Sequence, residues 1–377
     1  MKIVFSGGGS GGHFFPLIAV VEEVNEIVSE RNLVRPELYY MSNTPYDEMI
    51  LYQNDLTYKH VSAGKLRRYL SVKNGFDFFK TLVGFPAALH QLFRIYPDVV
   101  FSKGGYTTVP VVLAARILRI PVFVHDSDAI PGRANLWAGR FAERIAVSYP
   151  EAIDYFPKKD KVAFVGNPVR KRIRIPSTQG AHEYFNFRTD MPTIFIVGGS
   201  QGAEHINMTV YRALGDLLNK YQIVHQVGKE KYDSYKEFVG VALEGHPHME
   251  RYRIFPFLDE IQLRYAAGCA DLIVSRAGSG SIFEIACWEK PSILVPIPEE
   301  VSRDQRKNAY AYARTGAAEV IEQHNFTHHI LVAEVDRLFS DQKMLDRMKE
   351  EAKRFAKPDA ARIIAEELVA MMLAHEK

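Results

Sequence analysis

Cysteine is nearly absent from this 377-residue chain, which carries only Cys269 and Cys287. Two thiols give no disulfide framework, and a reducing compartment suits such a chain. There is no Cys-x-x-Cys pair and no His-Glu-x-x-His run, so the common zinc-site spacings are missing. No window offers the ~20 uninterrupted apolar residues of a spanning helix. The N-terminus runs from Lys2-Ile3-Val4-Phe5 directly into glycine, which reads as a first strand and not as a secretory signal. A chain that is soluble, or at most lies on a membrane, is expected. An excess of one charge sign is also missing. Lys and Arg number 47 against 45 Asp and Glu, and a net charge of +2 is too small to argue for nucleic acid. No aromatic array suited to base stacking occurs. What is present is ordinary globular material, with 47% hydrophobic and 24% charged residues in a length suited to two domains.

Short β-branched runs alternate with amphipathic stretches, which implies parallel sheets with crossover helices and an α/β class. The first half predicts strands at Lys2–Phe5, Glu37–Met41, Tyr58–Val61, Val99–Ser102, Val122–His125 and Val162–Val165. Leu17, Val20, Val21, Val24, Ile27 and Val28 fall on one helical face, with Pro16 placed in the first turn. The pattern restarts at Thr193–Val197 and continues through Gln222–Gln226, Arg253–Phe255, Leu272–Ser275, Ile293–Pro296 and Ala318–Ile321. Gly166-Asn167-Pro168-Val169-Arg170 suits a hinge. The expected domains are therefore 1–165 and 166–358. A last helix, from about Asp359 to Met372, carries apolar Ile363, Ile364, Leu368 and Met371 and is assigned with residues 359–377 to the first domain.

Each half opens with a strand that runs into a glycine turn and then a helix: Gly7-Gly8-Gly9-Ser10-Gly11-Gly12-His13 and Gly198-Gly199-Ser200-Gln201-Gly202-Ala203. Such a turn exposes main-chain N–H groups and the positive end of a helix dipole, so its natural guest is an anion. Two further strand-end clusters are Ser102-Lys103-Gly104-Gly105-Tyr106 and Ser275-Arg276-Ala277-Gly278-Ser279-Gly280-Ser281, the latter with Glu284 about one turn inside its helix. Ligands in open α/β sheets bind beyond the carboxyl ends of strands, so the four clusters are expected to converge on one cleft. Residues 7–12 satisfy Gly-x-Gly-x-x-Gly, but the second strand ends Tyr40-Met41-Ser42-Asn43 without the ribose carboxylate of a dinucleotide site. His13 stands where a P-loop needs lysine. A carboxylate such as Glu284 either complements the helix dipole or accepts from a ribose diol.

In these turns and the stretches around them the chain resembles, over nearly its full length, the MurG family of peptidoglycan glycosyltransferases. The matching stretches are GGGSGGHFFP (7–16), GKLRRY (64–69), FSKGGYTTVP (101–110), HDSDAIPGRAN (125–135), GNPVR (166–170), GGSQGA (198–203), SRAGSGSIFE (275–284) and DQRKNA (304–309). The resemblance implies the GT-B fold, two Rossmann-like domains facing a central cleft, and inverting transfer from UDP-N-acetylglucosamine to lipid I, forming lipid II. By that resemblance Glu284 holds the uridine ribose, Ser200 and the Ser279-Gly280-Ser281-Ile282 turn hold the diphosphate, Gln305 holds the sugar hydroxyls, and Gly202 and Asn308 are further substrate-binding positions. Ser10, Gly11, Gly12 and Arg170 match further nucleotide-sugar positions, Leu258 meets uracil through its main chain, and Gly104, Gly105 and Tyr106 form an acceptor loop. Where some members carry His-Glu-Gln-Asn, this chain has His125-Asp126-Ser127-Asp128, which leaves the role of Asp128 open. The Asp126-Ser127-Asp128 spacing mimics a metal motif of a different glycosyltransferase fold, and neither a bound metal nor another cofactor is expected.

Inverting transfer requires a base and a stabilised leaving group. His13, with an ordinary pKa of ~6.5, is the candidate base, Asp128 competes for that role, and the alternative for His13 is helix capping or contact with acceptor phosphate. Segment 64–85 mixes Lys65, Arg67, Arg68, Lys73 and Lys80 with Leu70, Phe76, Phe78, Phe79, Leu82, Val83 and Phe85. Basic residues near anionic lipid contribute about 1 kcal/mol each, so docking on anionic lipids at the cytoplasmic face of a bacterial inner membrane is expected, against a core-packed helix pair with a solvated basic face. The competing readings are a GT-B transferase with a diacylglycerol acceptor, a UDP-N-acetylglucosamine epimerase, and a nucleotide-sugar-binding subunit without catalysis.

Overall fold

Strand β1 (Lys2–Ser6) buries Ile3, Val4 and Phe5 completely, so both of its faces are covered, as in a parallel sheet packed between helices. In the computed structural model, which describes residues 1–64, 72–199, 202–299 and 303–374, the chain forms two compact units. The first comprises Met1–Arg170 with Lys357–Lys377, and the second Lys171–Ala356. The division falls after Arg170, not before Gly166, because the hinge-like stretch is tied into the first unit. His125 Nε2 lies 3.0 Å from Gly166 O, the Gly166 N–H donates to Val147 O at 3.2 Å, and Lys103 Nζ donates to Asn167 Oδ1 at 3.3 Å.

After β1 the first unit continues through α1 (Gly11–Glu30), β2 (Glu37–Ser42), α2 (Glu48–Gln53), β3 (Leu56–His60), α3 (Val72–Ile95), β4 (Val99–Ser102) and α4 (Val109–Ile117). It then runs through β5 (Val122–Asp126), α5 (Arg133–Gly139), β6 (Arg144–Val147) and β7 (Val162–Phe164). The strands pair in parallel in the order β3-β2-β1-β4-β5-β6-β7. Strand β6 is absent from the expected set. Its four residues, Arg-Ile-Ala-Val, are too few to show a period, and pairing with β5 makes them a strand. Helix α1 starts earlier than expected, with Ser10 as N-cap, so Pro16 lies inside the helix. Having no N–H, Pro16 cannot donate to the Gly12 carbonyl four residues back.

The second unit runs through α6 (Lys171–Arg174), α7 (Ala181–Phe185), β8 (Thr193–Val197), α8 (Glu204–Leu217), β9 (Gln222–Gln226), α9 (Tyr232–Ala242), β10 (Tyr252–Phe255) and α10 (Glu260–Cys269). It is completed by β11 (Leu272–Ser275), α11 (Ser279–Cys287), β12 (Ser292–Leu294), α12 (Arg303–Ala313), β13 (Ala318–Val320), α13 (His328–Ser340) and α14 (Gln342–Phe355). Its parallel order, β10-β9-β8-β11-β12-β13, repeats the pattern of the first sheet. In each sheet the order reverses between the opening strand and the fourth strand of the unit, β1/β4 and β8/β11. Crevices at such reversals are where ligands bind, and all four glycine clusters follow these four strands.

The chain returns to the first unit in α15 (Ala360–Ala374). Ile364, Leu368 and Met372 are fully buried in one cluster with Leu17, Val20, Val24 and Ile27 of α1. Each such side chain contributes roughly 1.5–3 kcal/mol on burial. Ile363, expected on the packed face, is instead 49% exposed, because adjacent helical positions lie ~100° apart and Ile364 takes the inward one. Arg362 adds an edge clamp, reaching Glu23 at 3.7 Å as well as Glu30 on α1.

Candidate functional site

In the first unit the glycine turn lifts the chain from β1 into α1. Ser10 caps α1 with extended backbone and does not use its side chain as a cap. Gly11 and Gly12 are the first two helical residues, so their N–H groups belong to the unsatisfied set at a helix start. His13 is the third helical residue, not the cap, and its Nδ1 is buried without a hydrogen-bond partner among the described residues. Burial lowers the His13 pKa to about 4, and the charge of Lys103 pushes the same way, partly opposed by contact with the Lys103 main chain. The imidazole is therefore neutral at neutral pH. Arg170 stands with its guanidinium carbon 4.4 Å from the Phe15 ring centre, a cation–π contact at the side of α1.

Gly104, Gly105 and Tyr106 follow β4 beside this turn. Gly104 has φ +89°, and a Cβ there would lie 2.5 Å from Asn135 Nδ2, so any larger residue is strained there and must displace the Asn135 amide. A Cβ on Gly105 would lie 3.4 Å from His13 Nε2, and the Tyr106 ring lies against Gly9. Asp128 is partly buried, and its N–H donates to Asp126 Oδ1 at 2.9 Å. Asp126 Oδ2 accepts from Gly132 N at 3.0 Å and from Asn135 Nδ2 at 2.8 Å. The carboxylate of Asp126 is thus committed to shaping its own loop. Burial raises its pKa, opposed by these three bonds and by Lys103.

Beneath the turn lies a buried polar cluster. Lys103 is 0% exposed, and its Nζ donates to Ser127 Oγ and Asn167 Oδ1, while Ser127 Oγ donates to Asn167 Oδ1 at 3.0 Å. Burial lowers the Lys103 pKa to about 8, with Asp126 and Asp128 holding it up. Burial and the charge of Lys103 also push His125 well below its usual range. Sequence reasoning did not single out Lys103, Ser127, Asn135 or Asn167 for any role. The one available signal was a lysine between a buried strand end and two glycines, where neither element interior nor solvent is its natural place.

In the second unit, Gly202 has φ +76°, and a Cβ there would lie 2.2 Å from Val227 O. Ser200 lies outside the described residues. Leu258 is buried, and its N–H donates to Gln226 Oε1 at 2.9 Å. Helix α11 begins at Ser279 after the N-cap Gly278, without a side-chain cap. The N–H groups of Ser279, Gly280 and Ser281 open the helix, whereas Ile282 spends its N–H on Gly278 O at 3.0 Å and buries its side chain. Ile282 therefore adds no donor to that turn. Glu284 follows, partly buried, in the second turn of the same helix. Gln305 on α12 places Nε2 4.0 Å from the position of a Cβ on Gly278, with Oε1 accepting from Ile297 N at 3.3 Å, and Asn308 is fully buried one turn further on. Arg276, at the foot of the turn, donates to Val295 O at 3.0 Å, and burial lowers its pKa to about 10, so it remains cationic. No role was expected of Arg276 either, although it directly follows a strand end.

The membrane-facing expectation on segment 64–85 falls largely outside the described side chains. What is described is the end of α3 and its neighbour α4: Val83 is 68% and Phe93 67% exposed, as are Tyr96 at 65% and Ile117 at 55%. No helix among the described residues is long and apolar enough to cross a membrane.

Comparison with known proteins bears on this geometry. Residues 3–147 match the glycosyltransferase family 28 N-terminal domain, and residues 193–364 match the family 28 C-terminal domain. A Bacillus thuringiensis protein, UDP-N-acetylglucosamine–N-acetylmuramyl-(pentapeptide) pyrophosphoryl-undecaprenol N-acetylglucosamine transferase 3, is 38% identical over 338 residues, covering 89% of this chain and 91% of its own. The fold is shared with the crystal structure of Acinetobacter baumannii MurG, at TM-score 0.71 and 23% identity over 97% of this chain and 98% of that one. It is shared too with Neisseria meningitidis UDP-GlcNAc 2-epimerase bound to UDP-GlcNAc, at TM-score 0.68 and 15% identity over 98% of this chain and all of the other. The fold alone thus spans transfer and epimerisation, while the sequence relationship is specific. The chain is a glycosyltransferase with two Rossmann-like domains and belongs to family 28, in its MurG branch.

Proposed function

We propose that this protein transfers N-acetylglucosamine from UDP-N-acetylglucosamine to the C4 hydroxyl of the muramyl sugar of lipid I, with inversion, forming lipid II. The observation that carries this reading is the 38% identity, across nine-tenths of both chains, to a transferase bearing that name. The geometry is compatible with the chemistry such a reaction needs. The acceptor oxygen attacks the anomeric carbon as the bond to the β-phosphate oxygen breaks, the electron pair leaves with UDP, and the hydroxyl proton passes to a base. His13 is neutral and hence a proton acceptor, set among the Gly104–Tyr106 loop. Asp128 stays the competing candidate.

On the donor side, Glu284 is assigned the ribose diol, Leu258 the uracil, and the N–H groups of Ser279, Gly280 and Ser281, with Ser200 and Gly202, the diphosphate. Gln305 and Asn308 are assigned the sugar, and Ser10, Gly11, Gly12 and Arg170 further contacts to the nucleotide sugar. Helix N-termini and the cationic Arg276 supply positive potential for the departing diphosphate, so turnover is expected to persist in a chelator. Exposed Val83, Phe93 and Ile117, with Arg94, Arg116 and Arg119 nearby in sequence, support docking on anionic lipid at the cytoplasmic face of the inner membrane. Liposome flotation should show binding that weakens with salt.

The deciding assay supplies purified protein with labelled UDP-N-acetylglucosamine and a lipid I analogue and scores labelled lipid II and free UDP. Transfer to diacylglycerol instead, or a change in the donor's own sugar without any acceptor, would overturn the assignment in favour of the other lipid transferase or the epimerase.

A further inference from the structure

Lys103 is a whole lysine side chain at 0% exposure, with no part in the transfer chemistry above. Taking an ammonium out of water costs several kcal/mol unless it is paired and hydrogen-bonded. Here the pairing is spread over two separate pieces of the first unit. Its Nζ donates to Ser127 Oγ in the loop after β5 and to Asn167 Oδ1 in the segment after β7, and the nearby carboxylates are those of Asp126 and Asp128. Its stem packs against the first glycine turn, where a Cβ on Gly7 would lie 2.8 Å from Lys103 Cβ. His13, whose Nε2 lies 3.4 Å from the position of a Cβ on Gly105, feels both the Lys103 charge and its main chain.

We propose that Lys103 is a positioning residue for the transfer: it fastens the Asp126–Asp128 loop and the Gly166–Asn167 segment beneath the first glycine turn and sets a positive charge against His13. The proposal rests on the reading of His13 as the base. An ordinary counter-ion for Asp126 would need neither the bond to Asn167 nor the approach to His13. The other ionisable groups on elements around this turn are His125 on β5, Tyr40 on β2, Tyr46 before α2, Tyr106 after β4, and Arg170 over Phe15. Among the described cations, Lys103 is the one whose charge acts directly on both His13 and His125.

The test uses the full-length protein with Lys103→Met, which removes charge and hydrogen bonds together, and Lys103→Gln, which keeps a polar end for Ser127 and Asn167 but no charge. The His13 ring is titrated by NMR, its signal assigned with His13→Gln, beside the pH profile of kcat/KM. The expected result is a rise of the His13 midpoint by about one pH unit or more in both variants, with the acid limb of kcat/KM rising by the same amount. In Lys103→Met, kcat at pH 7 should also fall about tenfold or more through the unfastened loop, and Lys103→Gln should recover part of that loss. A His13 midpoint unchanged in folded Lys103→Gln overturns the proposal, even if Lys103→Met does not fold. Failure of the base reading is seen separately: the midpoint then moves in the variants while the kcat/KM profile does not follow, and His13→Ala retains full turnover.

Discussion

The Leu258 main-chain N–H donates to Gln226 Oε1 at 2.9 Å, and Nε2 of the same glutamine donates to Gly199 O at 3.3 Å. One buried side chain at the end of β9 thus fastens both the second glycine turn and the segment assigned to uracil. Gln226→Leu loses both bonds, each worth roughly 0.5–1.5 kcal/mol. KM for the sugar nucleotide should rise about tenfold with kcat nearly unchanged. Steady-state kinetics with varied donor checks this, and a kcat loss at constant donor KM would count against it.

Glu284→Ala removes a carboxylate assigned to the ribose diol. Hydrogen bonds to a charged group contribute ~1.5–3 kcal/mol, so donor KM should rise ten- to a hundredfold while acceptor KM stays put. Calorimetric titration of the variant with UDP should show the same weakening, and wild-type UDP affinity would refute the assignment.

Gly202→Ala meets Val227 O at 2.2 Å and a left-handed backbone at φ +76°. The strain is about 1–2 kcal/mol before any clash. A lowered melting temperature together with weakened UDP binding is expected from thermal melts with and without UDP. A stable variant with full affinity would show that the turn does not need glycine there.

His13, lowered to about 4, is active as a base only when deprotonated. That form is complete at neutral pH and is lost as pH falls through about 4. The kcat/KM profile of the free enzyme should therefore stay flat through pH 6.5, where an unperturbed histidine would titrate, and fall only in the more acid range. His13→Ala should lower kcat by ~10²–10⁴-fold, and an inflection near 6.5 that vanishes in this variant would show that burial does not control the base.

His225 predicts the acid stability of the second unit. Its Nε2 lies 3.2 Å from Asn207 Oδ1 and its Nδ1 2.9 Å from Tyr252 OH. Asn207 Nδ2 donates to Val227 O, which fixes Oδ1 as an acceptor, so Nε2 carries the proton and Nδ1 accepts from the tyrosine. The neutral ring is fully satisfied, and burial lowers its pKa to about 3. With the folded pKa below the unfolded ~6.5, the unfolded chain binds more protons between those values, so stability falls as pH drops below 6.5. By pH 5 the loss is about 2 kcal/mol from this group. Urea melts of wild type and His225→Gln should differ in slope over pH 5–6.5, the variant being less stable at pH 7 but flatter toward acid.

How much of this was legible in the chain differs by feature. Strands such as Val99–Ser102 and Thr193–Val197 have the same bounds in sequence and structure, because buried parallel strands are near-continuous β-branched and aromatic runs. The glycine turns were legible for a related reason: only a few residue types allow the backbone at Gly104 and Gly202. Strand β6 was not legible, because four residues have no period of their own. Pro16 misled for a local reason, since proline marks a helix start only by preference and Ser10 took the cap instead.

The sequence by itself therefore determined the two α/β units, the four strand-end turns and, through ordered motifs, the family. Tertiary structure decided which charged groups are taken out of water. Lys103, His125 and Asp126 in the first unit, and Arg276 in the second, look like ordinary polar residues along the chain, and only the pairing of parallel strands within each sheet buries them at its strand ends. Desolvation and neighbouring charge are properties of that assembled space, not of any residue's position in sequence. They make His13 neutral and put a buried lysine beneath it.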